Sequence, residues 1–209
     1  MMVKYISVEL TDVGKHYSGK TLFQGVHITA KPGDCLVITG RNGAGKSTLL
    51  KIIAGLVRPS HGKVRLIADG QELAEGDRFD CIGMVSPEIA LYGAMSGYEN
   101  LKFLAQVRGM NLGNEDLCRW LTLVGLEANQ HERVGEYSTG MRQRLKFAVM
   151  LALQSPLWLL DEPSSNLDNE GKALVGELIR NALREQTTII IATNESWEAE
   201  YATQKINLG

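Results

Sequence analysis

No stretch of this 209-residue chain stays apolar for the roughly 18–20 residues that a membrane span requires. The longest apolar runs, Phe147–Leu153 and Thr187–Thr193, have the length of core elements. Any work at a membrane is therefore expected to pass through another polypeptide. Cysteine is scarce as well. Cys35, Cys81 and Cys118 are odd in number, far apart and without C-x-x-C spacing, which argues against a disulfide framework or zinc site and fits a reducing compartment. Met1–Leu10 lacks the apolar core of a signal peptide, so a cytoplasmic location is expected. Charge of one sign is missing too: 22 Lys and Arg stand against 24 Asp and Glu, a formal net charge of −2. No dense basic run offers itself to nucleic-acid phosphates, and no nucleic-acid partner is expected. Internal repeats and low-complexity segments are absent.

The composition that remains, 44% apolar and 22% charged, is that of a globular chain able to bury a sizeable core. Val3–Leu10 and, more loosely, Leu22–Thr29 alternate apolar and polar residues and read as antiparallel-type strands. Cys35–Thr39 is a short apolar run leading into a glycine cluster, and Ser47–Ala54 reads as a helix closed by Gly55. Lys63–Ile67 and Cys81–Val85 look like further strands. The alternation of strand, loop, helix and strand is the rhythm of an α/β domain built on a mostly parallel sheet. From about Ala94 to Tyr137 the pattern turns helical. Ser96-Gly97-Tyr98-Glu99 has the form of a capping box, and Asn114 is placed to cap a second helix ending at Gly125. The β rhythm resumes at Leu157–Leu160, followed by a helix over Asn169–Arg184 and a strand over Thr187–Thr193. One domain is expected, with 1–88 and 141–209 as its core and about 89–140 as a helical insert.

Three motifs carry chemistry. Gly40-Arg41-Asn42-Gly43-Ala44-Gly45-Lys46-Ser47 fits G-x-x-x-x-G-K-[ST] at every fixed position, between an expected strand and an expected helix. Glycines let the backbone curl so that successive N–H groups face one phosphate, and the helix N-terminus adds partial positive charge. Lys46 reaches the outer phosphates, Ser47 can ligate Mg²⁺, and Thr48 follows in the same first turn. Leu157-Trp158-Leu159-Leu160-Asp161-Glu162 describes a buried parallel strand ending in two acids. Asp161 is the candidate Mg²⁺ carboxylate, and Glu162 the candidate general base for an attacking water. Tyr137-Ser138-Thr139-Gly140-Met141-Arg142-Gln143-Arg144 opens a helix over Met141–Leu153, and Ser138 and Gly140 at its N-terminus suit a second anion site or an ordinary cap.

Over essentially the whole chain, these residues resemble the ATP-binding subunits of ABC transporters. Gly40–Ser47 is similar to the Walker A loop and Leu157–Glu162 to the Walker B strand. Ser138-Thr139-Gly140-Met141 stands at the signature motif, and Ser164-Ser165-Asn166-Leu167-Asp168 is similar to the D-loop. The resemblance places Tyr17 where an aromatic stacks on adenine. It implies a P-loop core with an N-terminal antiparallel β part, ATP and Mg²⁺ as cofactors, and a head-to-tail homodimer or heterodimer. Each ATP would lie between one chain's glycine loop and the other's signature helix. Transmembrane permease subunits in other chains are the implied partners, with this chain peripheral on the inner face of the membrane. The chain ends directly after an expected last strand, with no regulatory domain expected beyond it. Its shortness and Tyr137–Met141 lean towards the haem and cytochrome-c-biogenesis exporters.

The chain departs from the pattern at three positions. Asn194 stands where the family has its switch histidine; it can hydrogen-bond but cannot carry a proton or positive charge. Pro87 falls on the Q-loop glutamine, with Glu88 one residue away, and Thr139 replaces a signature glycine. These changes leave ATP binding intact and suggest slowed hydrolysis, with Glu162, Lys46 and Asn194 as the catalytic set. An alternative is an ATP-gated dimerising module that hardly hydrolyses. A second alternative is a soluble ABC-type ATPase acting on ribosomes or DNA, and a P-loop kinase is a more distant one. The four histidines share no ligand spacing, the three tryptophans read as packing groups, and Arg142, Arg144 and Lys146 read as a solvated basic face that could also attract phosphate.

Overall fold

The computed structural model describes residues 3–209. In chain order the elements are β1 (Ile6–Tyr17), β2 (Lys20–Ala30), β3 (Cys35–Thr39), α1 (Lys46–Ile53), β4 (His61–Ala68), β5 (Gln71–Glu72), β6 (Ile82–Val85), α2 (Gly97–Val107), α3 (Asn114–Leu123), α4 (Thr139–Ala152), β7 (Leu157–Asp161), α5 (Asn169–Arg184), β8 (Thr188–Ala192) and β9 (Gln204–Asn207). Short 3₁₀ helices cover Glu75–Cys81, Val134–Glu136 and Glu198–Tyr201.

Two sheets form. The first has the order β2-β1-β4-β5 and is antiparallel throughout. On β1, Ile6, Val8 and Leu10 are buried and alternate with less buried Ser7 and Glu9, the period-2 pattern of a sheet with one covered face. The second sheet has the order β6-β7-β8-β3-β9, with β7–β8, β8–β3 and β3–β9 parallel. All five residues of β7 and all five of β8 are buried, as near-continuous apolar strands covered on both faces must be. The fold is α/β with a P-loop core, a mostly parallel sheet and an antiparallel β part.

The described residues make two compact units. One comprises residues up to 84, 156–162 and 178–209; the other comprises 85–155 and 163–177. The first holds both sheets and α1, around a core that includes Leu49, Ile53, Leu66, Leu159 and Ile190. The second is helical and takes in α4 and the first half of α5 as well as α2 and α3.

In the helical unit, Ser96 closes the expected capping box. Its hydroxyl accepts from Glu99 N–H at 3.1 Å, and the Glu99 carboxylate accepts from Ser96 N–H at 2.8 Å. Those bonds hold the Glu99 carboxyl below its ordinary value. This support for α2 is therefore present at neutral pH and lost as pH falls through that lowered value. Ser96→Ala is expected to cost about 1 kcal/mol of stability, read from thermal unfolding. Asn114 does not cap α3. Gly113 occupies the N-cap in extended backbone, and Asn114 is the first helical residue, its Oδ1 accepting from the Tyr98 hydroxyl at 2.6 Å.

Candidate functional site

The glycine loop owes its shape to three glycines in left-handed backbone, two of them with no room for a side chain. Gly40, Gly43 and Gly45 have φ of +146°, +82° and +102°. A Cβ on Gly45 would come within 2.7 Å of the Phe23 ring, and one on Gly40 within 2.8 Å of the Leu208 carbonyl oxygen. Arg41 and Asn42 are exposed, whereas Ala44 is buried and its N–H donates to the Arg41 carbonyl at 3.0 Å. α1 begins at Lys46, with Ser47 and Thr48 half-buried in its first turn.

Lys46 is 7% exposed and fully engaged. Its Nζ donates to the Gly40 carbonyl at 2.8 Å and to Asn194 Oδ1 at 3.2 Å, and lies 4.0 Å from Glu162 Oε1. Asn194 Nδ2 donates to Asn42 Oδ1 at 3.0 Å. One amide thus links the loop's lysine to the loop's exposed asparagine, and Lys46, Glu162, Asn194 and Asn42 come together within one unit.

The parallel sheet delivers the acids. β7 ends at Asp161, which is buried and pairs in register with Ala192 of β8. Glu162 follows with φ +47°, a left-handed conformation unusual for a side-chain-bearing residue, and its N–H donates to the Ala192 carbonyl at 2.9 Å. Burial pushes the Glu162 carboxyl above its ordinary value; Lys46 opposes the shift, and Glu198 and Asp161 add to it. Glu198 had no signal in the sequence. It sits in the 3₁₀ turn after β8, completely buried, where a glutamate is rarely found.

Ser138 and Gly140 lie in the helical unit. The Ser138 hydroxyl caps α4 by accepting from Met141 N–H at 3.1 Å, and a Cβ on Gly140 would stand 3.3 Å from the Asn166 carbonyl oxygen. The expected solvated basic face does not exist. Arg142 donates to the Tyr137 carbonyl. Arg144, 15% exposed, bonds to Asp168 at 3.2 Å. Lys146 donates to the carbonyls of Ser86 and Pro87 at 2.8 and 3.2 Å, and burial with Arg142 nearby lowers its pKa. Gln143, also on α4, donates to the Pro163 carbonyl at 2.8 Å. Pro87 and Glu88 are exposed. Among the described residues no cluster of His, Cys, Asp and Glu could hold a metal by itself, and no helix is long and apolar enough to cross a membrane.

A family model described as ABC transporter matches residues 23–165. A cytochrome c biogenesis ATP-binding export protein, CcmA, from Brucella abortus is 35% identical over 187 residues, covering 90% of this chain and 85% of that protein. An ABC transporter ATP-binding protein from Pyrococcus furiosus superposes with a TM-score of 0.82 at 26% identity, covering 97% of each chain. The ATP-binding cassette MJ0796, as a dimer in a post-hydrolysis state bound to ADP and phosphate, gives a TM-score of 0.83 at 24% identity and covers 96% of this chain and 93% of its own.

Proposed function

This chain belongs to the ABC transporter family, and from that premise we propose that it binds and hydrolyses ATP to drive export through separate membrane subunits. The observation that carries the reading is the meeting of Lys46, Glu162 and Asn194 at the mouth of a glycine loop built to receive phosphate. Gly40–Thr48 binds the triphosphate, Tyr17 stacks on the base, and Ser138 with Gly140 contacts the γ-phosphate held by a second copy or a related chain. Glu162 takes the proton of the attacking water. The donor set also fits magnesium, since a hydroxyl and a carboxylate are hard oxygen ligands. Ser47 and Asp161 would hold Mg²⁺, which would neutralise charge on the β- and γ-phosphates.

Export of a haem-related or cytochrome-c-biogenesis cargo follows the likeness to CcmA. The chain then works at the inner face of the membrane, docked on its permease. Its helical unit offers a surface for that contact. Tyr92, Phe103 and Val107 are exposed, and the Tyr92 and Phe103 rings meet edge to face at 5.2 Å. Phe103→Asp combined with Tyr92→Ser is expected to abolish co-purification with the membrane subunits while ATP binding is retained. Undiminished co-purification would place the contact elsewhere.

Hydrolysis is slow because Asn194 brings no charge to the transition state and Pro87 brings no side-chain amide. The same two residues favour the second reading, an ATP-gated dimerising subunit with little turnover. A single-turnover assay with radiolabelled ATP, Mg²⁺ and excess protein separates the two. ADP formed from bound ATP supports the motor, ATP held without ADP supports the gate, and no retained ATP overturns both.

A further inference from the structure

Tyr17 stands at the tip of the β1–β2 hairpin, where Ser18 and Gly19 turn the chain in left-handed backbone at φ +46° and +81°. Half of the tyrosine is exposed, so its ring has an open side. Its other neighbour is a cation: Lys15 Nζ lies 4.7 Å from the ring centroid. That ammonium is itself held, donating to the Arg58 carbonyl at 2.8 Å. Two further bonds fasten the same stretch of β1 to the turn before β4. His16 N–H donates to Ser60 Oγ at 3.1 Å, and Ser60 N–H donates to the Gly14 carbonyl at 2.8 Å. A hairpin tip is ordinarily the most mobile part of a sheet. Here it is tied to residues more than 40 positions away in sequence.

We propose that Lys15 is a positioning and specificity-determining residue for the nucleobase, fixing the Tyr17 ring against the Arg58–Ser60 turn so that its open face stacks a purine. This rests on the reading of Tyr17 as the base-stacking aromatic and extends it to the residue that orients the ring. The physical contribution has two parts. The ammonium restricts the ring before the ligand arrives, which lowers the ordering cost of binding. It also draws on the electron density of one face, so that the other meets an electron-rich purine on better terms. Phosphate recognition belongs to Gly40–Ser47, so base and triphosphate contributions can be measured apart.

The test is equilibrium binding of ATP and of inorganic triphosphate to the natural chain, Lys15→Met, Lys15→Arg, Tyr17→Ala and the Lys15→Met/Tyr17→Ala double variant. Lys15→Met is expected to weaken ATP about two- to fivefold, the span that an exposed cation–π contact supports, and to leave inorganic triphosphate unchanged. Lys15→Arg restores ATP affinity, because a guanidinium can also cover the ring and donate to a carbonyl. In the double variant the loss is no greater than in Tyr17→Ala alone. If Tyr17→Ala leaves ATP affinity intact, the base-stacking reading itself fails. If Tyr17→Ala weakens ATP but Lys15→Met does not, Lys15 has no such role. If Lys15→Met weakens inorganic triphosphate equally, its charge serves phosphate attraction, and the proposal is overturned.

Discussion

Glu162→Gln is expected to slow ATP hydrolysis by about 10²–10⁴-fold, the usual contribution of a positioned general base, while ATP remains bound. The same substitution is expected to raise the melting temperature at neutral pH. Both effects come from one environment. Burial disfavours the charged carboxylate, and Glu198 and Asp161 add negative charge nearby, so the Glu162 pKa lies above its ordinary value although Lys46 is 4.0 Å away. A carboxyl raised in the folded state favours folding when protonated. That contribution is complete below the unfolded pKa and is lost as pH rises through the raised folded value. At neutral pH the ionised group is thus a net burden on the fold, which glutamine removes without changing shape. Catalysis needs the opposite protonation state. The acid limb of the rate profile should therefore fall at higher pH than an ordinary glutamate would give. Rates and melting curves of both proteins across pH decide this; an unchanged rate in Glu162→Gln would remove Glu162 from the role of base.

The parts of this fold that were legible in sequence are those whose cause is local. The apolar run Leu157–Leu160 is a strand because both its faces are covered, and four apolar residues in succession say so directly. Ser96 and Glu99 satisfy each other three residues apart, so their box can be read without a fold. The glycine loop is equally local. Where the cause is distant, the pattern misled. β1 runs on to Tyr17 because irregular register at Asp12–Lys15, with Asp12 at φ +52°, lets one strand pair along two partners. The two-residue β5 exists only through its pairing with Ile67 and Ala68. Asn114 carries the right side chain for a cap, but Tyr98, sixteen residues earlier, takes its oxygen. Arg144 and Lys146 resemble solvated cations until Asp168 and the Ser86 and Pro87 carbonyls are placed beside them. Glu198 is the sharpest case, since nothing in its sequence neighbours marks it for burial, and the 3₁₀ turn that carries it packs against β3, far away in the chain.

Asn194→His is expected to accelerate single-turnover hydrolysis by about 10²-fold, the scale of one added charge-stabilising contact to a transition state. The present amide accepts from Lys46 and donates to Asn42, so it is satisfied at both ends yet neutral in every protonation state. A neutral imidazole has one acceptor nitrogen and one N–H and can take over both contacts. On protonation it gives up Lys46 as a donor and becomes a cation beside the glycine loop, which is where negative charge accumulates as the γ-phosphate bond breaks. The gain should therefore be largest around and below the ordinary histidine range and shrink as pH rises through it. Asn194→Ala provides the contrast. It frees Lys46 from the amide, leaving the Gly40 carbonyl and Glu162 4.0 Å away, but it adds no charge, so no acceleration is expected from it. Faster turnover in both variants would mean that the amide restrains Lys46 and that its release is what limits the natural chain. Faster turnover in histidine alone would mean that the missing element is positive charge at position 194. If neither variant accelerates, Asn194 does not limit hydrolysis, and the segment after β6, where Pro87 stands, becomes the next place to introduce a side-chain amide.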